Sequence, residues 1–357
     1  MTNNNLVCIQ KDSYSKLDIN SLIAPLGGMK HFVKKGERVL LKPNLLSPSP
    51  VDKAVLTHPS VVSSVAKSVL DAGGVPFIGD SPGGPFTKRR LDKVYERSGM
   101  KKVASELGIE LNYDTTSTKI EVPGGRRLKK TPICNYYLNS DKTISIPKIK
   151  THSLMIITLA TKIMYGVVPG LTKAKYHSTN IKRNSFAEML VDLFPVTKVD
   201  LIIMDGIIGM EGEGPGNGTP VDLGVMFASV DPIAMDVSIC KMLGIEPVGV
   251  PLLKIAKLKG LFPSKINYPL LSVDDVRYEG FKLPSTAGYA LTGEKKPKRS
   301  PVPNEKCIGC KRCEEICPKD AIKMVDDKAK VDYSQCVRCY CCHEICPEDA
   351  IKLEVLK

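Results

Sequence analysis

Short apolar runs alternate with helix-forming segments along the first 240 residues. The run Val39–Leu41 predicts a buried strand, and VPFI, near residue 77, predicts another. Between them, THPSVVSSVAKSVLDAGG predicts a helix that begins near Pro59 and ends at Gly73. The order of strand, helix and strand is typical of a parallel α/β sheet.

Polar residues follow these two strands at their carboxyl ends. Lys42 and Asn44 follow the first strand, and Asp80 and Ser81 follow the second. Ligands of open parallel sheets bind beyond the carboxyl ends of the strands. We therefore predict that these four residues share one rim and bind a cofactor. The alternative is that they are ordinary turn residues.

A basic segment in the middle of the chain is the best candidate for acid/base chemistry. TISIPKIKTHS predicts a strand that delivers Lys150 and His152, and LMIITLATKIMYGVVPGL predicts an apolar helix interrupted by Lys162. His177 follows in KAKYHS. A buried lysine is costly unless it is paired or used. We predict that Lys150, His152, Lys162 and His177 bind an anion or transfer protons. Alternatively, Lys162 extends its ammonium to the helix end.

Carboxylates and glycines dominate the segment that follows. VDLIIMDGIIG predicts a buried strand ending at Asp205, and MEGEGPGNGTP predicts a loop whose backbone amides could face a ligand. The loop matches neither the dinucleotide-binding nor the Walker A pattern. We predict that four carboxylates position a substrate or a further, unidentified small-molecule or metal cofactor: Asp205, Glu211, Asp231 and Asp236. Helix capping is the alternative for the last two.

Nine of the twelve cysteines lie after residue 300, in two runs of the form C-x2-C-x2-C-x3-C-P. Tandem runs of this form are typical of bacterial two-cluster ferredoxins, in which the fourth cysteine of each run ligates the other cluster. We predict two 4Fe–4S clusters, one held by Cys307, Cys310, Cys313 and Cys346, the other by Cys336, Cys339, Cys342 and Cys317. Cys341 is predicted to be a non-ligand. Zinc sites or disulfides are the alternative.

The net charge of +13 is unevenly distributed, because residues 301–357 carry 10 Lys and Arg against 11 Asp and Glu. The basic body has its cations scattered, with few aromatic residues between them, which disfavours nucleic acid as a partner. An anionic small-molecule substrate or a soluble redox partner fits the charge better. A solvated basic surface without a partner is the alternative.

The Pro- and Lys-rich stretch that ends near residue 303 predicts a linker. We predict an α/β fold: a two-lobed parallel-sheet body over 1–290, a linker over 291–303 and a small α+β bacterial-type ferredoxin domain over 304–357. The chain has no run of about 18 uncharged apolar residues, so no membrane span is expected. The start lacks a secretory pattern, and cysteines in cluster spacing indicate a reducing compartment, the cytoplasm.

Several longer patterns carry a resemblance: KPNLL, THPSVV, GDSPGG, PKIKTHS, TKIMYGVVPG and DGIIGMEGEGPGNGTP, spread from about residue 39 to 236. With them the chain resembles the domain-of-unknown-function 362 family, many members of which carry a C-terminal two-cluster ferredoxin module. The resemblance implies an iron–sulfur protein of anaerobes and names no reaction.

A weaker resemblance is to the lactate racemase family. In that family a His, a Lys ten residues on, a Pro-Gly and a second His surround a nickel-pincer nucleotide fixed to the lysine. His152, Lys162, Pro169–Gly170 and His177 have the same order here, although TLAT replaces the glycine-rich lead-in to the lysine.

These observations favour an iron–sulfur oxidoreductase. In this hypothesis the clusters carry single electrons from a soluble donor into a basic pocket, where an anionic substrate or cofactor is reduced or transformed. Two alternatives remain at this stage: a non-catalytic electron carrier or assembly protein, and a metal-dependent isomerase similar to lactate racemase.

Overall fold

The computed structural model of the chain describes residues 5–288 and 298–356. The strands are β1 Val7–Lys11, β2 Arg38–Pro43, β3 Val75–Ile78, β4 Glu110–Leu111, β5 Ser117–Glu121, β6 Lys130–Cys134, β7 Lys142–Ile146, β8 Lys148–His152, β9 Ile156–Thr158, β10 Leu201–Glu211, β11 Thr219–Ser229, β12 Arg299–Pro303, β13 Ile322–Val325, β14 Lys328–Val331 and β15 Ile351–Val355.

The α-helices of the described residues are mostly short. They are α1 Ile19–Ile23, α2 Met29–Phe32, α3 Pro59–Asp71, α4 Lys88–Arg97, α5 Met100–Leu107, α6 Asn135–Leu138, α7 Ala160–Ile163, α8 Gly170–Thr179, α9 Arg183–Asp192, α10 Pro232–Met242, α11 Pro251–Leu258, α12 Arg312–Ile316 and α13 Cys341–Ile345.

One nine-stranded sheet runs through the body in the order β1-β11-β10-β7-β2-β3-β4, and β8 joins it beside β10 and β9. The pairs from β4 to β10 are parallel, whereas β1 and β11 add an antiparallel edge. Helix α3 packs on the sheet through Val61, Val65 and Val69, which repeat every four residues and are fully buried. The predicted α/β class is therefore confirmed.

Two predicted elements differ from the structure. The strand expected to end at Asp205 continues to Glu211, because β10 pairs with β11 on both sides of an irregularity between Gly206 and Ile208. The apolar run after His152 is not one helix but β9, the single turn of α7 and a 3-10 turn at Met164–Val167. Such a run is buried on all sides, so its hydrophobicity does not distinguish strand from helix.

The C-terminal module consists of two similar units. Each cysteine run leads through a short helix, α12 or α13, into a strand, β13 or β15. Residues 291–297 of the predicted linker lie outside the described residues. Its last part forms β12, which pairs antiparallel with β15 and so adds a strand to the module. No helix among the described residues is both long and apolar enough to cross a bilayer.

The module docks on the body through the glycine-rich loop between β10 and β11. The Asn217 amide donates a hydrogen bond of 2.6 Å to the carbonyl of His343 in α13. A Cβ atom at Gly216 would lie only 2.4 Å from the Glu344 carbonyl oxygen, so the contact requires glycine. This part of the loop, predicted to face a ligand, instead receives the module.

Candidate functional site

A cavity of about 740 Å³, including the part open to solvent, lies where the body meets the module. Polar and charged side chains from both parts line it: Lys42, Asn44, Asp80, Ser81, Thr158, Lys162, Tyr165, Lys173, His177, Cys341 and Glu344. We call this space the basic cavity.

The four rim residues predicted from the strand ends meet in the basic cavity. Lys42 Nζ lies 2.8 Å from Asp80 Oδ1, and both side chains are almost completely buried. The second oxygen of Asp80 accepts a hydrogen bond of 2.9 Å from the Leu45 amide. A Cβ atom at Gly166 would collide with both members of the ion pair, at 2.3 and 2.5 Å. The pair is therefore closely packed and fixed in place.

Helix α8 contributes Lys173 and His177, which lie one turn apart on one face. The Lys173 ammonium donates hydrogen bonds to Ser81 O, Ser81 Oγ and Val168 O at 2.7 to 2.9 Å. Burial lowers the pKa of Lys173 to about 8. Sequence reasoning missed this lysine, although its four-residue spacing from His177 was a usable signal.

His177 is a neutral imidazole at pH 7. Burial, followed by the charges of Lys162 and Lys173, lowers its pKa to about 3. Its Nδ1 atom is buried and has no hydrogen-bond partner among the described residues. The ring packs 4.2 Å from that of Phe186. His177 can therefore offer a ligand a hydrogen bond, but not a positive charge.

Lys162 sits on α7, and Asp236 holds that helix in position. The Asp236 carboxylate accepts hydrogen bonds from the amides of Ala160 and Thr161, at 2.9 and 3.1 Å. Within the described part of the chain, the Lys162 ammonium makes no hydrogen bond or ion pair, and it lies 5.8 Å from the Tyr165 ring centre. Burial lowers the pKa of Lys162, and the negative charge of Glu344 opposes that shift. An anion in the basic cavity would give this ammonium a partner.

Helix α13 of the module closes the cavity with Cys341, Glu344 and Ile345. Burial raises the pKa of Glu344 to about 7, against the opposing effect of Lys162. Glu344 Oε1 lies 3.5 Å from His152 Nε2, across the contact between module and body. Sequence reasoning missed Glu344, because only the docking of the module brings it to the site.

Two of the four residues predicted for acid/base chemistry lie behind the cavity wall. Lys150 donates a hydrogen bond of 2.8 Å to the Val55 carbonyl, and burial lowers its pKa to about 7. His152 is completely buried, and its Nδ1 accepts a hydrogen bond from the Leu154 amide. Burial and nearby cations hold the pKa of His152 well below its usual value. Of the predicted set, only Lys162 and His177 line the basic cavity.

The four predicted carboxylates do not converge. Asp205 pairs with Lys148 and accepts a hydrogen bond from Tyr14, both at 2.9 Å. The other three have separate partners: Glu211 accepts from the Lys282 amide, Asp231 caps α10, and Asp236 holds α7. Within the described parts of the chain, none of these four carboxylates joins two other His, Cys, Asp or Glu side chains in a group that could hold a metal ion. None of the four carboxylates is among the described residues that line the basic cavity.

The cysteines of the module surround two further cavities, of about 330 and 340 Å³. The first is lined by Cys307, Cys310, Cys313 and Cys346. The second is lined by Cys317, Cys336, Cys339, Cys341 and Cys342. Apart from Cys341, each set therefore combines three cysteines of one run with the fourth cysteine of the other.

The surroundings of these sulfurs fit an iron–sulfur cluster. None of the twelve cysteines, all of which lie in the described residues, forms a disulfide. Backbone amides donate to three of the sulfurs: Ala321 to Cys317 and Ala350 to Cys346, both at 3.2 Å, and Ala329 to Cys307 at 3.4 Å. Amide hydrogen bonds stabilise thiolate ligands and tune the cluster that they hold.

Comparison with known proteins agrees with these features. Residues 306–350 match the 4Fe-4S dicluster domain, so the chain carries an iron–sulfur cluster-binding ferredoxin module. Several solved structures are similar to part of the chain, including the following two. The lactate racemase apoprotein of Thermoanaerobacterium thermosaccharolyticum has a TM-score of 0.38 and 13% identity, covering 56% of this chain and 47% of that one. A Thermotoga maritima protein has a TM-score of 0.35 and 12% identity, covering 58% and 53%. The chain thus spans about half the length of each structure.

A curated relative matches over a longer region. The thylakoid-associated protein sll1697 of Synechocystis is 36% identical over 275 residues, which covers 74% of this chain and 82% of the relative. Residues 39–241 match the family described as domain of unknown function, DUF362. The chain therefore belongs to the DUF362 family, with a ferredoxin-type module at its C-terminal end.

Proposed function

We propose that the protein is an iron–sulfur oxidoreductase that binds a small anionic substrate or cofactor in the basic cavity and delivers electrons to it from two 4Fe–4S clusters. The observation that carries the proposal is that the body and the ferredoxin module both line the basic cavity. Lys42, Lys162 and Lys173 reach it from the body, whereas Cys341 reaches it from the module that bears the cluster cysteines. A ligand held there would lie next to the redox centres.

The charges of the basic cavity favour an anion. Three lysines face two carboxylates, and one of these, Asp80, is already paired with Lys42. The ammonium of Lys162 is the group most available to a carboxylate or phosphate, because within the described residues it makes no hydrogen bond or ion pair. The neutral imidazole of His177 would add a hydrogen bond to the same anion.

The clusters would supply single electrons, which a soluble redox partner replaces. We assign one cluster to Cys307, Cys310, Cys313 and Cys346, and the other to Cys317, Cys336, Cys339 and Cys342. Sulfur ligands in this number require a reducing compartment, which supports placing the protein in the cytoplasm.

Replacing Lys162 by Met tests the anion site. Met keeps most of the apolar volume of the side chain but removes the charge, so oxalate and inorganic phosphate should bind the variant at least about tenfold more weakly. Isothermal titration of anaerobically purified, full-length protein measures both affinities, and comparing the two probes distinguishes carboxylate from phosphate. The matched control is Lys254→Met, an exposed lysine on α11, which should bind as the wild type does.

Two results would count against the proposal. Equal affinities in wild type and Lys162→Met would remove Lys162 from the site. If neither probe binds the wild type, and native mass spectrometry finds no small molecule retained by the protein from cells, a non-catalytic electron carrier becomes the better description.

Anion binding should also depend on pH through Lys173. Because burial lowers the pKa of this lysine to about 8, it is an ammonium below that pH and a neutral amine above it. The Glu344 carboxyl, whose pKa is about 7, also becomes negative in this range, so the affinity for oxalate should fall as the pH rises through 7 and fall further as it rises through 8. A titration series in this range measures the effect. An affinity that stays constant up to pH 9.5 would contradict a role for the Lys173 charge.

A further inference from the structure

Cys341 is the residue that the basic cavity and the second cysteine cavity have in common. It appears in the lining of both, and no other described residue does. The first cysteine cavity shares no lining residue with the basic cavity in the described parts of the chain. The two cysteine sets therefore differ in their relation to the proposed ligand site.

The contacts of Cys341 explain how it could connect the two cavities. Its side chain is 3% exposed and packs among Ala174, Ile316 and Ile345. The Cys341 side chain also lines the second cysteine cavity together with Cys339, a member of the second set. On the other side it lies within electrostatic range of the Lys162 ammonium. The thiol thus stands between a cluster ligand and the cation expected to bind the anion.

We propose that Cys341 is a positioning residue that connects the basic cavity to the second cluster site alone, by donating a hydrogen bond to Cys339 on one side and contacting the bound anion on the other. The proposal rests on the function proposed above. It adds which of the two cluster sites is connected to the ligand in the basic cavity. Cys341 holds no iron in this scheme, in keeping with its position outside the C-x2-C-x2-C-x3-C spacing.

The expected effects follow from charge. A hydrogen bond to a ligand sulfur stabilises the extra negative charge of a reduced cluster and makes it easier to reduce. An anion beside Lys162 partly cancels the field of that cation, so it should make the second site harder to reduce. Because coupling between sites is reciprocal, reduction should in turn weaken anion binding.

The test compares Cys341→Ala and Cys341→Ser with wild type in the anaerobic, cluster-loaded, full-length protein. Electron paramagnetic resonance at fixed potentials measures the reduced fraction of each centre. Cys310→Ser, which alters the first set, identifies the signal of the first centre. Cys240→Ala is the control, because it removes a buried thiol from α10, which lines none of the three cavities.

In Cys341→Ala, the ratio of reduced to oxidised second centre should fall about three- to tenfold, the value of one lost hydrogen bond. The first centre should not change. Cys341→Ser keeps a hydrogen-bond donor of similar size, so it should recover most of the ratio. Equal shifts of both centres, no shift of either, or a serine variant that matches the alanine variant would overturn the proposal.

Oxalate at saturating concentration provides the second part of the test. In the wild type it should lower the reduced fraction of the second centre and leave the first unchanged. If oxalate binds but changes the first centre, both centres or neither, the role of Cys341 as the connection is wrong. If oxalate does not bind at all, this result counts against the proposed function and not against the role of Cys341. In that case the effect of Cys341→Ala on the second centre still tests the hydrogen bond from Cys341 to Cys339.

Discussion

Replacing Asp80 by Ala should lower the free energy of unfolding by about 3–5 kcal/mol, because it leaves the Lys42 ammonium buried without its partner. The pair is 2.8 Å apart, and the side chains are only 1% and 6% exposed. Asp80 also accepts the Leu45 amide, which would lose its partner as well. Denaturant unfolding of the anaerobic protein, followed by circular dichroism, measures the change.

The matched control for this prediction is an exposed ion pair of the same length. Arg38 and Glu110 are also 2.8 Å apart, but their side chains are 40% and 61% exposed. Glu110→Ala should therefore cost less than about 1 kcal/mol. Similar losses for Asp80→Ala and Glu110→Ala would mean that burial does not set the strength of the Lys42–Asp80 pair.

Replacing the fourth cysteine of either run by Ala should remove the cluster that is held by the first three cysteines of the other run. The first cavity combines Cys346 with the early run, and the second combines Cys317 with the late one. Cys346→Ala and Cys310→Ala should therefore both lose the first centre. Cys317→Ala and Cys339→Ala should both lose the second centre. In each variant the iron content should fall from about eight to about four atoms per chain. Iron analysis and electron paramagnetic resonance measure both effects.

Cys341→Ala is the control for this series, since it should retain about eight irons. If Cys317→Ala instead lost the same centre as Cys310→Ala, each run would serve its own cluster. Zinc in place of iron, in protein purified without oxygen, would contradict the cluster assignment altogether.

Local patterns were enough to predict the sheet and the rim of the site. The apolar run before Lys42 and the strand before Asp80 are parallel neighbours, so their carboxyl ends bring both residues to one edge. The spacing of the cysteines likewise predicted which four would lie together, since the first cavity contains Cys307 and Cys346 and the second Cys336 and Cys317.

The rest of the site depends on contacts that sequence patterns do not encode. Lys150 and Lys162 are similar as cations in an apolar stretch, yet only Lys162 faces the cavity, because α7 is a single turn held by a distant carboxylate, Asp236. Glu344 and Cys341 reach the cavity only because α13 docks against Gly216. A position set by docking cannot be deduced from either segment separately.

The absence of a side chain at Gly216 has a consequence for how electrons can arrive. With the Glu344 carbonyl seated against that backbone and Asn217 bonded to His343, the ferredoxin module packs directly on the body, and this contact covers the side of the module that faces the basic cavity. We therefore expect the proposed redox partner to dock on the outward side of the module, where Cys310 and the neighbouring Ile308 are exposed to solvent.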